Sequence, residues 1–399
     1  MTATQASGAA IGQGRRIFIF GFLSAIAPLS IDIYLPALPT LRQALAADEA
    51  QTLYTLSTFF IGFGGGQLLF GPLTDRFGRK RPLLVGLAVY IAASAGCALA
   101  PSIGMLIAFR FIQALGGSIV PIAVQAMVRD LYARNESARI LSLNMLVTAS
   151  APVVAPLLGG QILLWLDWRF IFWVLVGFGA LAFVAATILP ETLAAARRSA
   201  AHPLAMLRGY AALLRDGRYL GYVACSTAYF CCLFAFIAGS PFVYIEYFGV
   251  PPQFYGFLFG VNMIGMIATT FTNSRIVMRR GADALLRRAC IIGAAASLVL
   301  LATGISGFAG VAGIVVPLFV VLALLTMVGS NAISGALAVA PSAGAAAALA
   351  GALQFGAGAF ISAATGWLAN GTPQPMVGII CAGAVLSLLA NLLLLKPRE

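Results

Sequence analysis

The sequence predicts an all-α integral membrane protein, with twelve transmembrane helices in two pseudo-symmetric six-helix halves. Three observations predict it. Of the 399 residues, 61% are hydrophobic and only 9% charged, where soluble domains carry roughly a quarter charged residues. Burial saturates with chain length, so a globule of this size cannot hide that much apolar surface, and disorder needs the opposite composition. Apolar runs of about 20 residues, enough to cross a bilayer, recur twelve times, and basic residues punctuate them at every second boundary.

Taken in order, the runs lie at 17–38, 52–72, 82–100, 104–128, 138–163, 169–189, 219–243, 254–275, 285–305, 311–337, 345–368 and 375–395. Lipid tolerates only helices or closed barrels. The runs lack the strict alternation of barrel strands, so each reads as a helix. The first one imitates a secretory signal, with Arg15-Arg16, an apolar stretch and Ala25-Ile26-Ala27. Pro28 would directly follow the cut, and the run continues to Tyr34-Leu35-Pro36, so no cleavage is expected. The longest polar interval, 190–218, reads as a linker between a first half, 1–189, and a second, 219–399. Each half has a basic loop after its second span, at 73–82 and 273–288. That repetition points to an internal duplication with a cavity between the halves.

The charges give orientation. Arg15, Arg16, the cluster from Arg76 to Arg81, Arg129, Arg134 and Arg139 fall on one side. So do Arg197, Arg198, Arg208, Arg215 and Arg218, the cluster from Arg275 to Arg288, and Lys396 and Arg398. Arg42 and Arg169 alone fall on the other. This asymmetry predicts that both termini are cytoplasmic. The net charge of +12 is then a topology signal, and no nucleic-acid partner is expected.

Several chemistries are excluded. The six cysteines form no C-x-x-C pair and His202 is the single histidine, so neither a metal site nor a disulfide framework is indicated. Neither lysine, Lys80 or Lys396, ends a phosphate-cradling glycine loop, and no G-x-S-x-G or H-E-x-x-H occurs. No cofactor and no enzymatic activity are expected. If a solute moves, an ion gradient or the solute's own gradient must drive it.

Charges inside a bilayer are costly, so they point to function. At ~1.5 Å per residue, Asp32 lies about 24 Å into the first span, so about 6 Å below the outer edge of a ~30 Å core. Arg110, in a fourth span that enters from outside, lies about 9 Å below that same edge. The two therefore share a depth. Burial disfavours the charged form of any carboxyl group and a nearby guanidinium favours it, so a change in either could load or unload a proton at Asp32. Glu246, after Ser240-Pro241-Phe242-Val243-Tyr244-Ile245, falls about 27 residues past the start of the seventh span and so beyond the hydrocarbon.

Gly71-Pro72-Leu73-Thr74-Asp75-Arg76-Phe77-Gly78-Arg79-Lys80 resembles the G-x-L-a-D-r-x-G-r-k signature between the second and third spans of the major facilitator superfamily. Arg110-Phe111-Ile112-Gln113-Ala114-Leu115-Gly116 is similar to the fourth-span R-x-x-Q-G-x-G motif of its drug:proton antiporters, with Ala114 in place of glycine. Ala151-Pro152-Val153-Val154-Ala155-Pro156-Leu157-Leu158-Gly159-Gly160 resembles their fifth-span motif, with Ala151 and Ala155 where glycine is usual. The stretches Ser30–Pro39 and Ser240–Glu246 resemble the bicyclomycin-resistance subfamily.

The resemblance implies the major facilitator fold and a multidrug efflux antiporter. Such a protein exports drug-like small molecules against protons by alternating access, as a monomer within the lipid bilayer of a bacterial inner membrane. It implies that Asp32 and Arg110 serve proton coupling. Gly71, Asp75, Arg76, Gly78, Arg79 and Lys80 would form a cytoplasmic gate. Pro152, Pro156, Gly159 and Gly160 would shape a kinked helix, since proline removes a backbone donor and glycine permits close helix contact. Substrate contacts are expected among Tyr34, Gln113, Asn144, Tyr229, Phe234, Glu246, Asn262, Asn331 and Gln354, because aromatics and a few buried amides suit flat organic molecules. A proton-coupled symporter or facilitator for a small metabolite is the alternative on the same fold. A membrane-embedded enzyme or channel is the alternative outside it.

Overall fold

The computed structural model describes residues 12–194, 209–341 and 343–395. The basic residues Arg197, Arg198, Arg208, Lys396 and Arg398, His202 and the middle of the expected linker lie outside the described residues. Among the described residues the protein is all-helical, with twelve helices long and apolar enough to cross a membrane. They are α1 (Gln13–Ala44), α2 (Glu49–Phe77), α3 (Lys80–Ala98), α4 (Ile103–Leu131), α5 (Arg134–Ile162) and α6 (Arg169–Ile188). The second half comprises α7 (Gly217–Tyr247), α8 (Pro252–Arg280), α9 (Ala282–Ser306), α10 (Gly310–Val339), α11 (Ala343–Trp367) and α12 (Gln374–Leu394).

The helices outrun the apolar runs that predicted them. α2 has 29 residues, about 43 Å at 1.5 Å per residue, against a hydrocarbon core of about 30 Å. Charges end an apolar run but do not end a helix. The two expected basic loops consequently shrink to turns. Gly78, at φ 90°, closes α2, and Gly281, at φ 78°, separates α8 from α9. Both conformations favour glycine. The same device stands at the same place in each half.

Packing repeats in the same way. In the first half α2 and α3 each lie along α4, and α3 lies along α6. In the second, α8 and α9 each lie along α10, and α9 lies along α12. Two extended seams join the halves, α2 against α11 and α5 against α8. Small residues make both seams close. A Cβ on Gly366 would stand 2.7 Å from Ala50 Cα, and one on Gly256 would stand 2.6 Å from the Leu157 nitrogen. Lipid tails are as apolar as leucine, so close backbone packing has to supply the attraction.

α1 is not one rod. It breaks after Asp32, passes through a 3-10 turn at Leu35–Ala37 and resumes as Leu38–Ala44. The cause is chemical. In a continuous helix the N–H of residue 36 would bond the carbonyl of Asp32, and Pro36 has no N–H. The Ala37 N–H turns to Tyr34 O instead, at 2.9 Å. In α7, helix gives way after Pro241 to a π-turn, Phe242–Tyr247, in which Phe248 N–H reaches Val243 O.

Close backbone contact also joins α3 to α4, where a Cβ on Gly116 would lie 2.6 Å from both Gly86 O and Tyr90 N. Gly116→Val should therefore destabilise the fold by about 1–3 kcal/mol, the usual cost of overpacking. A thermal unfolding midpoint equal to the parent's would contradict this packing.

Candidate functional site

The break in α1 positions the first candidate. Asp32 is only 3% exposed, and among the described residues its carboxyl group has neither an ion-pair nor a hydrogen-bond partner. The segment is pressed against α5, where a Cβ on Gly159 would come within 1.8 Å of Ile33 O. The neighbouring Gly160 meets α8, since a Cβ there would stand 2.6 Å from Pro252 O. The two adjacent glycines thus let α5 touch α1 in its own half and α8 in the other. Pro152 and Pro156 sit inside an α5 that stays helical from Arg134 to Ile162.

Arg110 is fully buried on α4. Its Nη1 donates to Ser30 O at 3.1 Å and to Gln113 Oε1 at 2.7 Å. Gln113 Nε2 donates in turn to Ser94 Oγ at 2.7 Å. The guanidinium lies 4.3 Å from the rings of both Tyr34 and Phe59, and such stacking offsets part of the cost of burying a cation. Tyr34 is steadied by Thr55, 3.2 Å from its hydroxyl. The Nε and Nη2 of Arg110 have no acceptor among the described residues. The depth expectation is met in a specific way, because Arg110 grips the backbone two residues before Asp32. It is not ion-paired to Asp32.

The motif between α2 and α3 builds a second site on the face that carries the basic turns. Arg79 donates to Asp75 and, at 3.3 Å, to Asp130 Oδ2 at the end of α4. Its Nη1 also reaches Thr74 Oγ1 at 3.1 Å. Lys80 Nζ reaches Thr187 O at the end of α6, at 2.7 Å, where a cation suits the helix dipole. Glu191 accepts the Arg79 and Lys80 amides at 2.9 and 3.2 Å, a carboxylate at the start of α3. Burial pushes the Glu191 carboxyl up, but these amides, with that of Leu193, outweigh it and hold the group below its usual range. All of these contacts stay within the first half. Asp130 and Glu191 were not anticipated, because each lies far along the chain from the motif.

Two motif residues stand apart. Gly71 was expected to shape a tight loop, yet it lies inside α2, and a Cβ there would meet nothing within 4 Å. Arg76 is exposed and lies over the Phe77 ring at 5.4 Å.

The expected substrate contacts scatter. Tyr34 and Gln113 belong to the Arg110 cluster. Asn144 Nδ2 donates to Ser24 Oγ at 2.7 Å. The Tyr229 hydroxyl donates to Val321 O at 2.9 Å. Asn262 Nδ2 donates to Leu258 O, also at 2.9 Å. Asn331 Nδ2 donates to Asn273 Oδ1 at 3.0 Å, and Gln354 Nε2 reaches Ser226 Oγ at 3.4 Å. Phe234 enters a cluster that crosses the halves, with ring centroids 4.8 Å from Phe60 and 6.0 Å from Phe355. Phe63 completes it, 4.9 Å from Phe355. Phe60, Phe63 and Phe355 were not anticipated; the i, i+3 spacing of the first two, which sets them on one face of α2, is the signal the sequence carries. Glu246 Oε2 pairs with Arg42 Nη2 at 3.2 Å, and Arg42 also approaches Glu49 at 3.8 Å. Among the described residues this is the single ion pair that joins the halves. It lies opposite the basic turns.

A flat guanidinium fits between two rings and an ammonium does not. Arg110→Lys should therefore fold but lose about 2 kcal/mol, from weakened stacking and an unpaired acceptor. An unchanged denaturation midpoint would show that charge alone matters at this position.

Comparisons with known proteins agree with this architecture. The family model for the Major Facilitator Superfamily matches residues 20–363. The chain is 34% identical over 393 residues to the bicyclomycin resistance protein homolog of Haemophilus influenzae, covering 95% of this chain and 97% of that one. It is 34% identical over 304 residues to the chloramphenicol resistance protein of Pseudomonas aeruginosa, covering 74% and 70%. The xylose transporter XylE from E. coli, in a partially occluded inward open conformation, shares the fold with a TM-score of 0.73 at 14% identity, over 95% of this chain and 96% of that one. The chain therefore belongs to the major facilitator superfamily, as a multi-pass membrane transporter and not an enzyme.

Proposed function

We propose that this transporter exports drug-like molecules in exchange for protons, by alternating access, from a cytoplasm that faces the basic turns. The substrate class rests on the resistance proteins that share a third of its residues along most of its length. The observation that carries proton coupling is the carboxyl group of Asp32, buried without a partner at the break in α1. It lies two residues from the carbonyl that Arg110 already holds. Arg110 has donors to spare. A small rearrangement of the broken segment would exchange the lone carboxyl group for an ion pair and so release its proton. The aromatic cluster of Phe60, Phe63, Phe234 and Phe355 crosses the halves and is the best candidate to receive a flat apolar substrate. The protein acts as a monomer, with both termini cytoplasmic.

Arg42, Glu49 and Glu246 form the closure on the outer side in this reading. Arg42 belongs to the first half, Glu246 to the second, and Phe242 lies 5.8 Å beneath the guanidinium. Glu246 thus serves the gate more directly than it serves the substrate. The network of Asp75, Arg79, Lys80, Asp130 and Glu191 stiffens the inner side of the first half.

Two measurements test the proposal. Asp32→Asn should abolish uphill, ΔpH-driven export in inside-out vesicles while leaving folded protein in the membrane. Undiminished export would remove Asp32 from proton coupling. Coupled exit of solute and proton from the same vesicles would indicate the symporter instead. Arg42→Glu should cut transport several-fold, through a like-charge cluster with Glu246 and Glu49. Adding Glu246→Arg should restore much of it. A double variant no better than the single would deny that the pair works as a gate.

A further inference from the structure

The basic turn between α2 and α3 divides its own charges. Arg79 and Lys80 point inward and are consumed by Asp75, Asp130 and the Thr187 carbonyl. Arg76 and Arg81 point outward, and neither has a carboxylate partner among the described residues. Below them α2 and α3 diverge, each packed on α4, and leave a cavity of about 550 Å³. Phe70, Leu73 and Phe77 form one wall, Val85 and Val89 the other, and Leu115 of α4 the floor. The wall side chains are well exposed, Val85 at 65% and Phe77 at 49%. Arg81 stands at the mouth.

The chemistry of this groove has two parts. A cation without a carboxylate partner sits where α3 begins, at the basic end of an apolar span, where such ends meet lipid headgroups. From Arg81 to Val89 the apolar trough runs about 12 Å down the helix, which stays within one leaflet of a ~30 Å core. A cationic mouth above an apolar trough fits an anion that carries a hydrocarbon chain. We propose that the groove between α2 and α3 binds an anionic diacyl phospholipid. Its phosphate lies on Arg81, with Arg76 beside it, and one acyl chain lies between Phe77 and Val85. Charge complementarity selects the lipid, because a zwitterionic headgroup brings its own cation and gains little from an unpaired arginine.

The experiment uses purified full-length protein in detergent and native mass spectrometry. The probes are phosphatidylglycerol, phosphatidylcholine and glycerol phosphate without chains. Phosphatidylglycerol should be retained in preference to phosphatidylcholine, and glycerol phosphate should not be retained. Arg81→Gln should weaken phosphatidylglycerol retention roughly fivefold, the worth of one basic residue near an anionic headgroup. Arg287→Gln, on the basic face of the other half, should leave it unchanged. Val85→Trp, which fills the trough, should abolish the preference. Neither Arg81 nor Val85 makes a buried contact that folding needs, and unchanged lipid-free melting of both variants checks this. Equal retention of the two lipids would overturn the proposal. So would binding of glycerol phosphate alone, or an Arg81→Gln variant that behaves like Arg287→Gln.

Discussion

Hydrocarbon offers no hydrogen bonds, and this constraint governs the rest of the molecule. Each backbone group left over by a helix break must find a protein partner or pack where loss is tolerated. Pro36 strips the Asp32 carbonyl of its helical donor, and the 3-10 turn takes the donor of Ile33. The broken segment can exist only because α5 comes close enough to enclose it. Gly159 makes that approach possible, with an α-hydrogen where any side chain would strike Ile33 O. Proline in α1 and glycine in α5 are therefore two halves of one arrangement. Together they set an acidic group at an irregular point in the membrane, where small movements alter its surroundings.

The same constraint explains how Arg110 is kept. A buried cation with a single engaged nitrogen would ordinarily be too costly. Two aromatic faces and one backbone carbonyl hold it instead, and Gln113 relays the contact to Ser94 on α3. The arginine stays in place by stacking, so its remaining donors are free to take a carboxylate without reorganising the helix that carries them. Preorganisation of this kind is what a site needs if its partner is to come and go.

Depth was legible in the sequence and direction around each helix was not. Counting residues from the basic ends put Asp32 and Arg110 at one level, and the structure brings Arg110 to Ser30, beside that level. Apolar runs and basic turns gave all twelve helices and their alternation. The turns themselves were misread as loops, because charges at 73–82 and 273–288 mark the edge of lipid while the helical backbone runs on. What escaped were partners set by packing between distant helices. Asp130 and Glu191 meet Arg79 and Lys80 only once α4 is folded beside α2 and α6 beside α3. Phe355 meets Phe60 and Phe63 only across the seam between halves. A single sequence carries the spacing of Phe60 and Phe63 but not the helix they face.

The π-turn at Phe242–Tyr247 carries one further consequence. One extra residue in a turn offsets everything after it by about 100° around the helix axis, since an α-helix completes 360° in 3.6 residues. The tip of α7, with Glu246, is thus angularly uncoupled from the buried core positions Tyr229, Phe234 and Phe236. The core of this helix and its contact with Arg42 answer to separate registers. Insertion or loss of one residue here would exchange the side chain facing Arg42 while the core contacts of α7 before Pro241 stayed in place. Related chains could in this way acquire different ion pairs between the halves on an unchanged bundle.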